Sequence, residues 1–323
     1  IMINAGEFKK NKLSPLKNLK RLFPKMNKKI SFVRFACHFE EVFLLKDCIP
    51  WLNSKGIEVF VNIMQISEIK KKQVEKICKF LEKKNIKALY LADSLGSLNL
   101  KSFIKLTKII RKNWKYDLGL HAHNNLKLAL TNSLYACKHS FNWIDSTVMG
   151  MGRGPGNLKT EDILSKFDRK NLKFVKRLIK NYFKRLKKNY KWGPNKYYEI
   201  AAKFKIHPTY IQEMLSEKKY NKKNYSIIIN SLKKIDSRKY NKSRLFLPNG
   251  IYANKPNSSW YPKNILNKKH ILIVGPGKIK KSEKLKLKNF VNSQNLFVIG
   301  VNTSRNVSED LINFRTICHT KRM

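Results

Sequence analysis

Gly119-Leu-His-Ala-His-Asn-Asn125, followed by Gly150-Met-Gly-Arg-Gly-Pro-Gly-Asn157, decides how this chain folds and where its chemistry sits. Tyr116 to Leu120 reads as a short strand, and side chains at i and i+2 of a strand point to one face, so His121 and His123 project together. Two imidazoles on one face can hold a divalent cation. Taken alone, the same spacing also describes two hydrogen-bonded structural histidines. The glycine-rich stretch follows at the spacing of one βα unit, where a parallel sheet brings its next strand end alongside.

Outward from that unit, β-rich runs recur at Ile1 to Ala5, Ile30 to Ala36, Ile57 to Ile63, Lys87 to Leu91 and Asn142 to Val148. Helical patterns lie between them at Glu40 to Ser54, Ser67 to Lys84, Asn99 to Asn113 and Asn125 to His139, with Ser67 and Asn99 as N-cap residues. This α/β alternation, roughly 30 residues per unit, predicts a TIM (β/α)8 barrel rather than a doubly wound sheet. Six strands are recognisable, so the barrel is expected to lack its first two. Its edges would then be Ile1 to Ala5 and Asp145 to Val148. Polar residues stand at the C-terminal strand ends, where barrel enzymes place their chemistry: His38, Asn62 with Gln65, Asp93 with Ser94, the His121/His123 pair, and Asp145 with Thr147.

The expected domains are a partial barrel over 1–168, a helical post-barrel segment over 169–247, a Pro-, Asn- and Ser-rich linker over 248–267, and an incomplete Rossmann-like domain over 268–323. In the last, His270-Ile-Leu-Ile-Val-Gly-Pro-Gly277 reads as a strand and glycine turn, Ser282 to Asn292 as a helix and Leu296 to Val301 as a second strand. Gly-Pro-Gly fits a simple tight turn as well as a phosphate loop.

At 323 residues and 42% hydrophobic, the chain can bury a large core. The net charge of +48 is nearly all lysine and spread over the whole length, unlike the clustered arginines of a phosphate-reading surface, so no nucleic-acid partner is expected. The basic stretch Arg169 to Lys191 carries an apolar helical stripe and reads as a packing helix with a solvated lysine face, or as an anion-binding helix. Five cysteines without a C-x-x-C pair suit a reducing, cytoplasmic setting, and no apolar run is long enough for a membrane span.

Together, Leu91-Ala-Asp-Ser-Leu-Gly96, Gly119 to Asn125 and Asp145-Ser-Thr-Val-Met-Gly-Met-Gly-Arg-Gly-Pro-Gly-Asn-Leu-Lys-Thr-Glu161 resemble, in order and spacing, the metal-dependent lyases typified by 4-hydroxy-2-oxovalerate aldolase and hydroxymethylglutaryl-CoA lyase, which are TIM-barrel enzymes. The resemblance covers Ile1 to about Leu247, and His207-Pro-Thr-Tyr210 looks like part of the post-barrel segment of the aldolase branch. It implies that His121, His123 and Asn157 are metal ligands for Mn2+ or Mg2+, that Asp93 and Ser94 line the substrate pocket, and that Gly150, Gly152, Gly154 and Gly156 let the backbone approach the substrate. His38 is a further catalytic candidate, against the plainer reading of a strand-end histidine bonded to backbone. The implied reaction is cleavage of a 4-hydroxy-2-oxo acid to pyruvate and an aldehyde, with a homodimer or an aldehyde-processing enzyme as possible partners. A Claisen-type acyl-CoA condensing enzyme or lyase of the same barrel family, or a catalytically dead scaffold, are the alternatives. The family's D-x-T-L-R-D-G-type motif, whose Asp completes the metal site and whose Arg stabilises the enolate, has no counterpart here. The chain is therefore expected to be an N-terminally truncated copy, also cut short in its last domain, with impaired activity and a site of two imidazoles and an amide but no carboxylate.

Overall fold

A computed structural model describes residues 1–10, 12–23, 30–217, 220, 222–245, 265–267, 269–302 and 306–316. The chain divides into two compact units, Ile1–Ala253 and Asn254–Met323. The first is built on a six-stranded sheet whose spatial order follows the sequence: β1 (Met2–Asn4), β2 (Phe32–Cys37), β3 (Glu58–Ile63), β4 (Ala88–Asp93), β5 (Leu118–Ala122) and β6 (Trp143–Ile144). Every neighbouring pair is parallel. Sequential parallel order with helical crossovers is the order of a (β/α)8 barrel, here open, with β1 and β6 at its edges.

Strand periodicity explains the two faces. Val33, Phe35 and Cys37 of β2, Val59, Val61 and Ile63 of β3, and Leu89 and Leu91 of β4 point to the helices and form the main core. The alternate residues, Arg34, Phe60, Asn62, Tyr90 and Gly119, face the concave side. Phe60 and Tyr90 meet there edge to face at 6.1 Å between ring centroids, and Phe60 meets Trp143 at 5.2 Å. Arg34 lies 3.8 Å from the centre of the Tyr90 ring.

The helices on the convex side are α1 (Pro15–Leu22), α2 (Cys48–Asn53), α3 (Lys71–Glu82), α4 (Leu100–Asn113) and α5 (Ala129–Lys138). Several bounds differ from the sequence reading for local reasons. Asn99 caps α4 through Ser102 N, but α3 is preceded by Lys70 and not Ser67, because Gln65 is left-handed and Ile66–Glu68 forms a 3-10 turn. The helix expected over Glu40 to Ser54 splits into a 3-10 segment, Phe39–Leu45, and α2. Helix α5 starts at Ala129 rather than Asn125, after a turn in which Lys127 is left-handed. The strand expected over Asn142 to Val148 keeps only Trp143–Ile144, since Thr147 turns away to bridge Lys159. Helix α1, opened by Ser14 and Pro15, escaped the sequence reading.

Beyond the sheet come α6 (Thr160–Phe167), then α7 (Arg169–Leu178) and α8 (Lys184–Tyr190), joined by a π turn at Ile179–Phe183. The segment α9 (Lys196–Lys203), α10 (Pro208–Ser216) and α11 (Lys222–Lys233) has its own apolar cluster around Tyr210, Ile211 and Met214. In the second unit β7 (His270–Val274), α12 (Lys281–Ser293), β8 (Leu296–Val301) and β9 (Phe314–Thr316) make a parallel sheet in sequence order, and β9 was not foreseen. The expected linker over 248–267 falls outside the described residues except for 265–267. Among the described residues no helix is long and apolar enough to cross a membrane.

One glycine is set by packing alone. A Cβ at Gly119 would stand 2.5 Å from the Tyr90 ring, which is itself buried. Gly119→Ala should therefore destabilise the fold by about 1–3 kcal/mol, the usual cost of overpacking. A lower urea midpoint with an unchanged slope would check this, and an unchanged midpoint would show that the ring has room to yield.

Candidate functional site

The C-terminal ends of β2 to β6 gather the polar residues, and Asp145 is the hub. Its Oδ2 accepts from Arg34 Nη1 at 2.5 Å and from His121 Nδ1 at 2.8 Å, and its Oδ1 accepts from Arg34 Nη2 at 2.9 Å. In a flat sheet β2 and β6 would stand about 19 Å apart, four spacings of about 4.8 Å, beyond the reach of an arginine. The bidentate pair thus spans the curled concave face. Burial alone would raise the Asp145 carboxyl, but the His121 and Arg34 hydrogen bonds pull it down to about 2. It is an anion throughout the neutral range, so His121 donates through Nδ1, which leaves Nε2 as the ring nitrogen outside this bond. The sequence reading gave this site no carboxylate. Asp145 places one against His121, because register, not spacing, sets what faces across a sheet.

His121 and His123 project together, with ring centroids 5.2 Å apart. His123 is half-buried, its Nδ1 shut off from solvent and without a partner among the described residues. Burial, then the neighbouring His121 and Arg153, push it down to about 3, so it is neutral at physiological pH. Asn157 pairs with His123 across an antiparallel bridge and donates its Nδ2 to Met151 O at 3.2 Å. The glycine loop is shaped around that amide. Gly150 and Gly156 are left-handed at φ 65° and 75°, and a Cβ on Gly156 would lie 2.3 Å from Gly150 O. Gly152 leaves room for the Asn157 amide, and Gly154 sits against Tyr198. Glu161 Oε2 accepts from Met149 N and Trp192 donates to Met149 O, which staples the loop at its base.

The other sequence candidates take different positions. Asp93 is buried with its carboxylate turned into the following turn, accepting from Ser97 N and Leu98 N at 3.0 Å each. Burial pushes it up to about 6 although these backbone donors pull the other way. Ser94 Oγ accepts from Gln65 N at 3.1 Å and ties the β3 and β4 ends together. His38 is half-buried, its backbone N–H bonded to Glu41 Oε2 at 2.8 Å, and it lines a small cleft of about 200 Å3 with Gln65 and Lys239. Burial lowers its imidazole below the usual range.

His207 belongs to the stretch His207 to Tyr210 that the sequence places in the post-barrel segment. It caps α10, its Nδ1 accepting from Thr209 N at 3.3 Å. Burial, then Arg153 and His38, bring it down to about 4. Its mutual influence with His123, His38 and Arg153 places it at the same rim. Besides His123 Nδ1, Asn62 Oδ1 and Thr147 Oγ1 are buried without partners here. Orphaned polar atoms at three strand ends mark a surface built to meet a polar ligand.

As a metal centre the donor set is partial. Among the described residues no group of three or more His, Cys, Asp or Glu is placed to hold an ion. The paired imidazoles fit the nitrogen half of a divalent-cation site, His123 being neutral with a buried open nitrogen, and Asn157 adds an amide beside it.

Residues 28–181 match the family model HMGL-like. Over 141 residues the chain is 29% identical to the 4-hydroxy-2-oxovalerate aldolase of Bacillus thuringiensis (strain Al Hakam), covering 44% of this chain and 41% of that protein. It is 26% identical over 140 residues to 4-hydroxy-2-oxovalerate aldolase 2 of Rhodococcus opacus (strain B4), covering 43% and 40%. The chain thus spans less than half the length of these curated relatives. The crystal structure of the N-terminal domain of a presumed aldolase from Bacteroides vulgatus superposes with a TM-score of 0.55 at 26% identity, over 67% of this chain and 72% of that one. A Rhizobium etli pyruvate carboxylase shares the fold at a TM-score of 0.52 and 14% identity, over 67% of this chain and 25% of the other.

Two outcomes follow from this geometry. Asp145→Asn keeps the shape but leaves Arg34 without its anion, and should cost about 2–3 kcal/mol, just below the range of about 3–5 kcal/mol for breaking a fully buried pair because both groups retain some solvent contact. Chemical denaturation measures it, and a loss below about 0.5 kcal/mol would mean that solvent replaces the pair. The folded chain protonates His207 near pH 4 and the unfolded chain near 6.5. Between those values the unfolded state binds the extra proton, so this contribution weakens stability as pH falls. His207→Gln should flatten the stability slope over that window by up to about 1.4 kcal/mol per pH unit, read from urea midpoints.

Proposed function

We propose that this chain, which carries an HMGL-like domain over residues 28–181, serves a carbon–carbon lyase of the oxo-acid aldolase type, cleaving a 4-hydroxy-2-oxo acid to pyruvate and an aldehyde. The observation that carries the reading is the pairing of His121 and His123 at 5.2 Å beside Asn157 and the glycine loop. The names of the curated relatives support it. His121, through Nε2, and His123 would hold a divalent cation, Mn2+ or Mg2+, with Asn157 beside them. When bound, such a cation supplies Lewis acidity to the 2-oxo group and to the negative charge that C–C cleavage leaves there.

The rest of the work falls to this chain's own side chains. Asp145 fixes the His121 tautomer, and Arg34 holds Asp145 in place. Arg153, with Lys239 near His38, gives the rim a positive potential that draws an anionic 2-oxo acid toward the strand ends. His38, its imidazole lowered by burial, is unprotonated at neutral pH and can accept the proton of the 4-hydroxyl as the C–C electron pair moves into the pyruvate half. The same proton, returned to C3, completes pyruvate. His207 is a second imidazole of that kind at the rim. Asp93 and Ser94 support the pocket from behind, through the turns they bind. The four buried or partly buried free cysteines, Cys37, Cys48, Cys78 and Cys137, suit a reducing, cytoplasmic setting. A homodimer or an aldehyde-processing enzyme are the partners this reaction would use.

The partial donor set favours a second reading, a barrel that binds metal and ligand without turnover. One experiment separates them. Pyruvate release from a racemic 4-hydroxy-2-oxo acid is followed with and without Mn2+, alongside Mn2+ binding by electron paramagnetic resonance. The lyase reading expects Mn2+-dependent pyruvate that falls at least about 100-fold in His123→Ala, the scale on which losing a metal site acts. Saturable Mn2+ binding with no pyruvate leaves the scaffold, and release of free CoA thiol from acetyl-CoA as a 2-oxo acid is consumed would transfer the site to Claisen-type chemistry.

A further inference from the structure

A second concavity lies behind the strand end that carries the histidines. Its lining takes Asn124 and Leu158, the chain neighbours of His123 and Asn157, but none of His121, His123 and Asn157 themselves. Asn124 and Leu158 line a cavity of about 640 Å3, a size that takes a metabolite rather than a water cluster. Four lysines, Lys127, Lys159, Lys187 and Lys191, reach it, against a single carboxylate, Asp162. Lys159 pairs with that carboxylate at 3.4 Å. Lys127, Lys187 and Lys191 form no ion pair within 4 Å among the described residues.

Two of these three have left-handed backbones, Lys127 at φ 61° and Lys191 at φ 52°. Glycine or asparagine fits that conformation at less cost, and lysine there strains the backbone. Lys191 closes the C-terminus of α8, where a cation offsets the helix dipole. That accounts for one lysine at one wall, not for Lys127 across the cavity, in the turn before α5. Helix α5 opens at this cavity through Ala129 and Leu130, its first N–H, that of Ala129, being held by Asn124 Oδ1 at 3.3 Å.

We propose that this cavity is a binding site for a small phosphate-bearing anion, distinct from the histidine site and back to back with it. The lining favours phosphate over a planar carboxylate. Lysine is a point charge that meets a phosphate oxygen from any direction, whereas carboxylates select the arginine fork, and the cavity has no arginine. The end of the basic stretch Arg169 to Lys191 thus acquires a purpose: it delivers Lys187 and Lys191 to one wall. Because His123 and Asn124 are consecutive, as are Asn157 and Leu158, an anion held here braces the strand ends that carry the imidazole and the amide.

The test uses the full chain, inorganic tripolyphosphate as probe and calorimetry at about 150 mM salt, where diffuse surface attraction is screened. Lys187→Ala with Lys191→Ala is compared with Lys71→Ala with Lys72→Ala, which removes the same charge from the exposed face of α3. Saturable binding that weakens about tenfold or more in the first pair and not in the second is expected. Lys127→Gly with Lys191→Gly removes the side chains while relieving the backbone, so the melting temperature should rise as affinity falls. No saturable binding below about 1 mM overturns the site, as does an equal loss in the two alanine pairs. A single-stranded oligonucleotide that binds more tightly than tripolyphosphate, with the same lysine dependence, overturns it in favour of a nucleic-acid surface.

Discussion

The salt bridge from Arg34 to Asp145 is the constraint on which the first unit depends. An arginine in the middle of a strand is costly to bury, and the sheet answers the cost by curling until a carboxylate four strands away comes within hydrogen-bonding distance. Tyr90 lies under the guanidinium, and Gly119 gives Tyr90 its space. His121 then uses the oxygen that Arg34 has fixed. Shape, charge and imidazole orientation thus trace back to one pair, and the pair is worth more for what it positions than for its net stability.

Around that hub the site departs from the economy of an ordinary protein interior. His123 is neutral with an unpartnered nitrogen, and Asn62 and Thr147 also hold buried polar atoms without partners. Each such group costs free energy in the folded chain. At the strand ends these atoms can meet a polar ligand or an ion, whereas the unpartnered Thr107, Asn132 and Ser133 atoms lie on helices α4 and α5.

Much of this was legible in the sequence because strand periodicity is strict. The alternation at His121 and His123, the glycine spacing up to Asn157 and the βα repeat each survive into the structure at the expected strand ends. What escaped depends on register. Asp145 stood among the polar rim residues, but nothing in its own segment says that it meets His121 and Arg34. Arg34 did leave a signal, as the one charge in the run Phe32 to Cys37 and in phase with Ala36 and His38. His207 lies beyond the barrel, and only the folding of α10 onto the rim brings it near His38. The helix starts near Ser67 and Asn125 shifted because left-handed turns at Gln65 and Lys127 consume residues that propensity alone assigns to the helix.

The sequential strand order also governs the path to the native state. Each strand pairs with its neighbour in the chain, so the sheet can grow from local contacts that close short loops. The Arg34–Asp145 bond joins residues 111 positions apart and can form only when the curl is complete. The bond that orients His121 is therefore absent while the sheet is being laid down. A contact that forms this late acts on unfolding rather than on early folding, which ties the lifetime of the native state and the order of the site to the same pair.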